Sequence, residues 1–308
     1  MARAIRISDR IFRGILFIAA ATIVVIVASM IVMMFTYSMP TIERFGLGFL
    51  TGRAWNPSMG SYGALPFIYG TVVSSLIALL IAVPISVGVA VFLTEQASVR
   101  IARPIAFLVE LLAAIPSVVY GLWGIFVLAP FIREYLGAFL QENLGFLPIF
   151  QGRLTGIGML TGGIILAIMV MPIITAVVRD VLDAVPVTQR EAALALGATK
   201  WETTQIVLAN AASGIAGAVV LGLGRAIGET MAVTMVIGNT PQISASLFEP
   251  AYTIASVLAS NFADATDEMY LSALIEIGLV LFLVTFVVNG IAKLLVWGVT
   301  GRMGANAH

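Results

Sequence analysis

Arg225 and Glu229 stand four residues apart in LGLGRAIGETMAV, inside a run that is otherwise apolar from about Ala211 to Ile237. An ionisable side chain at the centre of a bilayer costs on the order of 2.5–3.5 kcal/mol, so two of them need a reason to be there. Four-residue spacing puts both on one face of a helix, within pairing reach, but Arg before Glu is the weaker order for stabilising a helix. The planar guanidinium donors suit a tetrahedral oxyanion, which makes Arg225 a natural anion site if it faces a water-filled path. Glu229 would then hold Arg225 in place and take a proton from a protonated oxyanion. The competing reading is a structural ion pair between packed helices. Gly222, Gly224 and Gly228 surround the pair, and Gly214, Ala218 and Gly222 recur four apart. Such ridges of small residues bring helices close, so packing is their first role and room for a permeant ion their second.

A third polar candidate is Ser117, beside Pro116 in AAIPSVVYG. Proline cannot donate the helix hydrogen bond, and a broken helix frees backbone donors at membrane depth. Ser117 would add a hydroxyl for a substrate there. Glu110, before the break, and Glu276, in the last apolar run, read as structural hydrogen-bond partners or interface residues. There is no cysteine, and the only histidine is His308, the last residue. Disulfides, thiolate metal sites and a histidine-based catalytic or metal centre are therefore not expected. A formal net charge of zero gives no sign of a nucleic-acid partner.

The elements that must position these residues are membrane spans. Of 308 residues, 60% are hydrophobic and 10% charged, against about 25% charged in a soluble domain. Mean hydropathy is +1.06. The expected fold is an all-α integral membrane protein with six transmembrane helices. The first run, Gly14 to Tyr37, is too long for a signal-peptide apolar region of about 7–15 residues and suits a retained span of about 20. The others run from about Ile68 to Phe92, Pro104 to Phe131 (interrupted at Pro116), Leu160 to Val178, Ala211 to Ile237, and Leu271 to Trp297. One side of this arrangement receives eleven basic residues, Arg3, Arg6, Arg10, Arg13, Arg100, Arg103, Arg179, Arg190, Lys200, Lys293 and Arg302. The other receives four, Arg44, Arg53, Arg133 and Arg153. That imbalance places both termini in the cytoplasm. Three substantial loops then face outward.

On the inner side, Val185 to Ile215 reads VPVTQREAALALGATKWETTQIVLANAASGI. Thr188 and Glu191 have capping-box spacing, EAALAL is a strong helix former, and Gly197 would stop the helix. Two short helices at an angle are expected, with small side chains suited to docking another protein. Glu191-Ala192-Ala193, followed by Gly197, resembles the EAA loop of ABC importer permeases. In that family the loop is the coupling helix that seats in a cleft of the ATPase. Val207 fits the family's later aliphatic position, while Ala209 and Asn210 stand where Leu-Pro is usual, which leaves no proline to bend the chain there. No G-x-x-x-x-G-K-[ST] phosphate loop is present, so a separate subunit would handle ATP.

Further stretches extend the resemblance over nearly the whole chain: FLTGRAWNP, YGALPFIYGT, AAIPSVVYGLWG and GRAIGETMAV. Together they are similar to the phosphate-specific transport (Pst) permeases, and the first two to the PstC-type member of the permease pair. The resemblance implies a MetI-like ABC importer permease fold, with a tail, first helix and outer loop over residues 1–66. A permease core over 67–308 would carry the EAA coupling loop at about 185–210. It implies a PstA-type second permease, two copies of a PstB-type ATPase, a PstS-type external phosphate-binding protein, and a home in the bacterial inner membrane among its lipids. Arg225 and Glu229 would line the phosphate path. ATP and Mg would belong to the ATPase, with no cofactor on this chain. Three alternatives stay open: an ABC permease for sulfate or molybdate, an ATP-independent secondary anion transporter or channel, and a membrane enzyme. The EAA loop argues against the second, and the lack of an internal His or of paired Asp within spans against the third.

Overall fold

The computed structural model describes the backbone of residues 2–305 and the side chains of 12–294. Arg3, Arg6, Arg10, Arg302 and His308 fall outside the described side chains. Every named element among the described residues is helical, as expected where backbone groups must satisfy one another away from water. In chain order these are α1 (Ala2–Tyr37), α2 (Met39–Phe45), α3 (Gly48–Thr51), α4 (Leu65–Val91), α5 (Val99–Ala113), α6 (Ser117–Trp123) and α7 (Ala129–Phe131). They continue with α8 (Gly137–Leu144), α9 (Met159–Asp183), α10 (Val187–Ala195), α11 (Lys200–Gly228), α12 (Met231–Val236), α13 (Ile254–Asn261) and α14 (Glu268–Ala305). Six stretches among the described residues are long and apolar enough to cross a membrane: Phe12–Tyr37, Leu65–Gln96, Ser117–Leu144, Met159–Asp183, Lys200–Gly228 and Glu268–Leu294.

The centre of the bundle is α9, the most buried of the six. It packs along α4 and crosses α11. Close approach depends on missing side chains: a Cβ at Gly163 would lie 2.5 Å from Ile77, and one at Gly222 would lie 2.6 Å from Ile174. Ala218, between Gly214 and Gly222 on α11, is fully buried. The small-residue ridge of α11 is therefore a packing face. Gly217, Gly224 and Gly228 meet nothing within 4 Å and share a neighbouring, more open face of the same helix. At its Met159 end, α9 is capped by the loop before α13: Met159 N–H donates to Glu249 O at 3.1 Å and Leu160 N–H to Leu247 O at 2.7 Å. A second core gathers Phe49, Tyr62, Phe67 and Tyr252 over α14. Burial, reinforced by Asp267, pushes the Tyr62 phenol up, against the pull of Arg44.

Two spans differ from the expected ones. The third does not run from Pro104 to Phe131. The helix α5 ends at Ala113, its fifteen residues reach only about 22 Å, and none of its side chains is buried. The spanning helix restarts at Ser117, after Pro116 occupies the N-cap, where its missing N–H costs nothing. It then continues through π-helical turns at Gly124–Leu128 and Ile132–Leu136. The fifth span begins earlier than Ala211 and stops earlier than Ile237. With Ala209 and Asn210 in place of Leu-Pro, α11 is unbroken from Lys200 to Gly228, so the second helix of the Val185–Ile215 segment is long and merges with the span. The capping box also lies elsewhere. Pro186, not Thr188, heads α10, whereas Thr199 and Glu202 form the reciprocal pair that starts α11.

Candidate functional site

Arg225 lies in the last turn of α11, and Glu229 is its C-cap, with extended backbone at ψ 127°. The pair thus spans a helix end, not the middle of a continuous helix. A cation in the last turn is favoured there, because the carbonyl end of a helix carries partial negative charge. Arg225 Nη2 lies 3.3 Å from Glu229 Oε2. The second carboxylate oxygen accepts a long bond of 3.5 Å from Ala232 N–H, in the first turn of α12. The two partners differ sharply in exposure: the Glu229 side chain is 5% exposed and that of Arg225 is 50% exposed. Glu229 is therefore an internal anchor, and half of the Arg225 side chain is left open, with Leu221 and Gly228 nearby also exposed. A guanidinium so placed can accept an oxyanion in bidentate fashion while its charge is held in register from behind.

Ser117 opens α6, which packs directly on α12. A Cβ at Gly121 would meet Met235 Sδ at 2.5 Å and Ala232 Cα at 3.2 Å. Two broken helices are thereby pressed together just beyond their breaks, one after Pro116 and the other after Gly228. Ser117 is half-buried and makes no hydrogen bond to Arg225 or Glu229 among the described residues.

The loop residues form a second site, at the end of the bundle that gathers most of the basic residues. Gly197 adopts φ +87°, and the turn closes with Ala198 N–H donating to Ala193 O at 3.1 Å and Gly197 N–H to Leu194 O at 3.0 Å. This double closure is the glycine stop expected of a left-handed C′ residue. Glu191, Ala192 and Gly197 are exposed, whereas Ala193 faces inward and is buried. Around them Val187, Leu194, Leu196 and Trp201 are all exposed. An apolar surface of that kind on a loop marks an interaction site.

Two ion pairs join residues that are far apart in sequence. Arg190 of α10 donates to Glu95 Oε1 at 2.7 Å, to Val185 O at 2.7 Å and to Leu182 O at 2.9 Å. Glu95 lies in the π-helical turn Phe92–Gln96 that ends the second span. Arg179 donates to Glu110 Oε1 at 3.0 Å, tying α5 to α9, which bears out the structural reading of Glu110. Glu276 Oε2 is buried without a hydrogen-bond partner among the described residues, which sets aside a hydrogen-bonding role within the chain and leaves the interface reading open. No group of three or more potential metal ligands occurs among the described residues.

Residues 82–300 match the family model described as binding-protein-dependent transport system inner membrane component. Among curated relatives, a protein of Mesorhizobium japonicum named phosphate transport system permease protein PstC is 44% identical, over 98% of this chain and 94% of the relative. One of the same name from Xylella fastidiosa is 45% identical, over 96% of this chain and 93% of its own length. A Mycobacterium tuberculosis protein named PstC 2 is 39% identical over 96% and 94%. A chain from an inward-facing MetNI methionine ABC transporter structure overlays 75% of this chain and 93% of its own, at TM-score 0.48 and 19% identity. A multi-pass bundle with an open Arg–Glu pair and an exposed EAA turn, matched along its length by PstC permeases, belongs to the binding-protein-dependent transport system inner membrane component family, among its PstC-type members.

Proposed function

We propose that this chain is one permease subunit of an ATP-driven phosphate importer in the bacterial inner membrane. The observation that carries the reading is the Arg225–Glu229 geometry: a half-exposed arginine side chain anchored from behind by a buried carboxylate. That arrangement leaves donors of the arginine free for a transient oxyanion ligand while its charge is held in place by Glu229. The phosphate assignment rests on relatives named as phosphate transport permeases over nearly their full length. Both termini face the cytoplasm, following the eleven-to-four distribution of basic residues.

In the working cycle a loaded external binding protein of PstS type docks on the outer loops. Two PstB-type ATPase subunits close on ATP and Mg, gripping the exposed face of α10. The Gly197 turn and the Arg190 contacts pass that movement into α4, α9 and α11. A PstA-type permease completes the pathway, and phosphate passes Arg225 on its way in. Ser117, at the head of α6, lies on the break that faces α12. The chain itself makes and breaks no covalent bond. Uptake of labelled phosphate that depends on the ATPase tests the class. Uptake that persists without it would leave a secondary transporter, and suppression by sulfate or molybdate would reassign the substrate.

A further inference from the structure

Two membrane helices carry a proline in their interior, α4 at Pro84 and α9 at Pro172. Each proline removes one helix hydrogen bond, leaving Leu80 O and Ile168 O without their usual donors. Contacts between the helices set these breaks at one level. Along α4 and α9 the numbering rises together: a Cβ at Gly163 would meet Ile77, and the Ser86 hydroxyl donates to Met171 O at 3.1 Å. Along α9 and α11 it runs in opposite directions, since Gly214 faces Val181 and Gly222 faces Ile174. Three residues on from Gly222 is Arg225, and three back from Ile174 is Met171. Arg225 therefore shares the level of Met171, Ser86 and both prolines. One turn further, α11 ends at Gly228, level with the Ile168 carbonyl. Three adjacent helices weaken together.

On either side of this level the bundle is tied. Toward α10, Arg190 bonds Glu95 beyond α4 and the carbonyls of Leu182 and Val185, in and just beyond the last turn of α9, and α10 packs on α11. Toward Met159, Gly158 N–H donates to Val236 O at 3.0 Å, Ala251 N–H to Ile237 O at 2.9 Å and Ile254 N–H to the Thr71 hydroxyl at 2.9 Å. Those bonds join α9, α12, α13 and α4. A lone proline kinks a span and is tolerated, whereas breaks at one level between two tied ends make a hinge. Arg225 precedes the break in α11 and travels with the α10 end. Glu229 and Ala232 follow it and travel with the Met159 end. The 3.3 Å Arg225–Glu229 contact crosses the hinge. A Cβ at Gly228 would meet nothing within 4 Å, so the turn has room to open. We propose that Pro84, Pro172 and the Gly228–Glu229 break form one hinge, whose bending by α10 parts Arg225 from Glu229 and switches the guanidinium between two affinities for an oxyanion. Paired, Arg225 shares its charge with the carboxylate and releases the anion. Parted, it holds the anion with its full charge. The switch rests on the reading of Arg225 as the phosphate site.

The test uses the assembled complex in nanodiscs, spin-labelled through Asp183→Cys, at the α10 end of α9, and Lys293→Cys, on the unbroken helix α14. Asp183 is eleven residues beyond Pro172, or about 17 Å, so a bend of about 20° moves it about 6 Å. That shift is expected between the nucleotide-free complex and the complex closed on a non-hydrolysable ATP analogue. Its absence would overturn the hinge whether or not a proline variant folds. With Pro84→Ala and Pro172→Ala combined, the shift is lost and phosphate uptake falls with it. Thermal melting does not fall, because alanine favours a helix interior. Labelled phosphate should bind the two states with affinities about tenfold apart, and Glu229→Gln should bring them within about twofold. An undiminished shift in the proline variant, or an affinity difference that survives Glu229→Gln, would overturn the proposal. A normal shift in a complex that binds no phosphate would leave the hinge standing and remove the substrate reading instead.

Discussion

Arg190 reaches from α10 to Glu95 at the end of the second span, with a 2.7 Å bond, while it also donates to Leu182 O in the last turn of α9 and to Val185 O just beyond it. The side chains of Arg190 and Glu95 are 20% and 9% exposed, so solvent screens this contact little. One guanidinium thus fastens α10 to two membrane helices. Arg190→Ala is expected to leave an uncompensated buried carboxylate and to loosen α10. Phosphate uptake should fall about tenfold or more, while ATP hydrolysis by the complex falls less. Arg190→Lys, with one point charge in place of a fork, should be intermediate. Equal loss of hydrolysis and uptake in an assembled complex would show that the contact does not transmit movement.

Arg225→Gln removes the charge and shortens the side chain while leaving a polar amide at its tip. Uptake should fall by at least about a hundredfold, the loss of a charge-assisted bidentate contact, with the subunits still co-purifying. Half of this side chain is already in the open, so its charge contributes little to folding. Normal transport by an assembled variant would make the pair structural.

Gly197→Val places a β-branched residue at φ +87°, a strain of about 1–3 kcal/mol. Glu191→Lys reverses the charge on the exposed face of α10. Each should weaken retention of the ATPase on affinity purification, with the membrane bundle intact. Undiminished retention and full uptake would remove α10 from the coupling role.

The two sides of α11 should respond differently to added methyl groups. Gly222→Ala drives a Cβ to 2.6 Å from Ile174, and overpacking of this kind costs about 1–3 kcal/mol. Gly217→Ala adds a methyl in open space and favours the helix by up to about 1 kcal/mol. Thermal melting of the purified complex should fall for the first and hold for the second.

Four of the six spans were legible to within a few residues, because each is one uninterrupted apolar run. The third and fifth were not, since run length alone cannot place a break. Pro116 separates α5 from α6, and the chain after Gly228 leaves helical geometry so that Glu229 can reach the first turn of α12. The capping box was misplaced because Thr188–Glu191 and Thr199–Glu202 share one spacing, and only the fold reveals that Pro186 already occupies the first start. The spacing of Arg225 and Glu229 announced their pairing, but not that one would be buried and the other open. Arg190 and Glu95 are ninety-five residues apart, a separation at which no local pattern links them.

The most direct test of the central claim is uptake of labelled phosphate into cells that rely on this complex, with excess unlabelled sulfate present. Uptake that requires the partner ATPase and is unchanged by sulfate is the predicted result. Uptake abolished by sulfate, or retained without the ATPase, would contradict the assignment and with it the role given to Arg225.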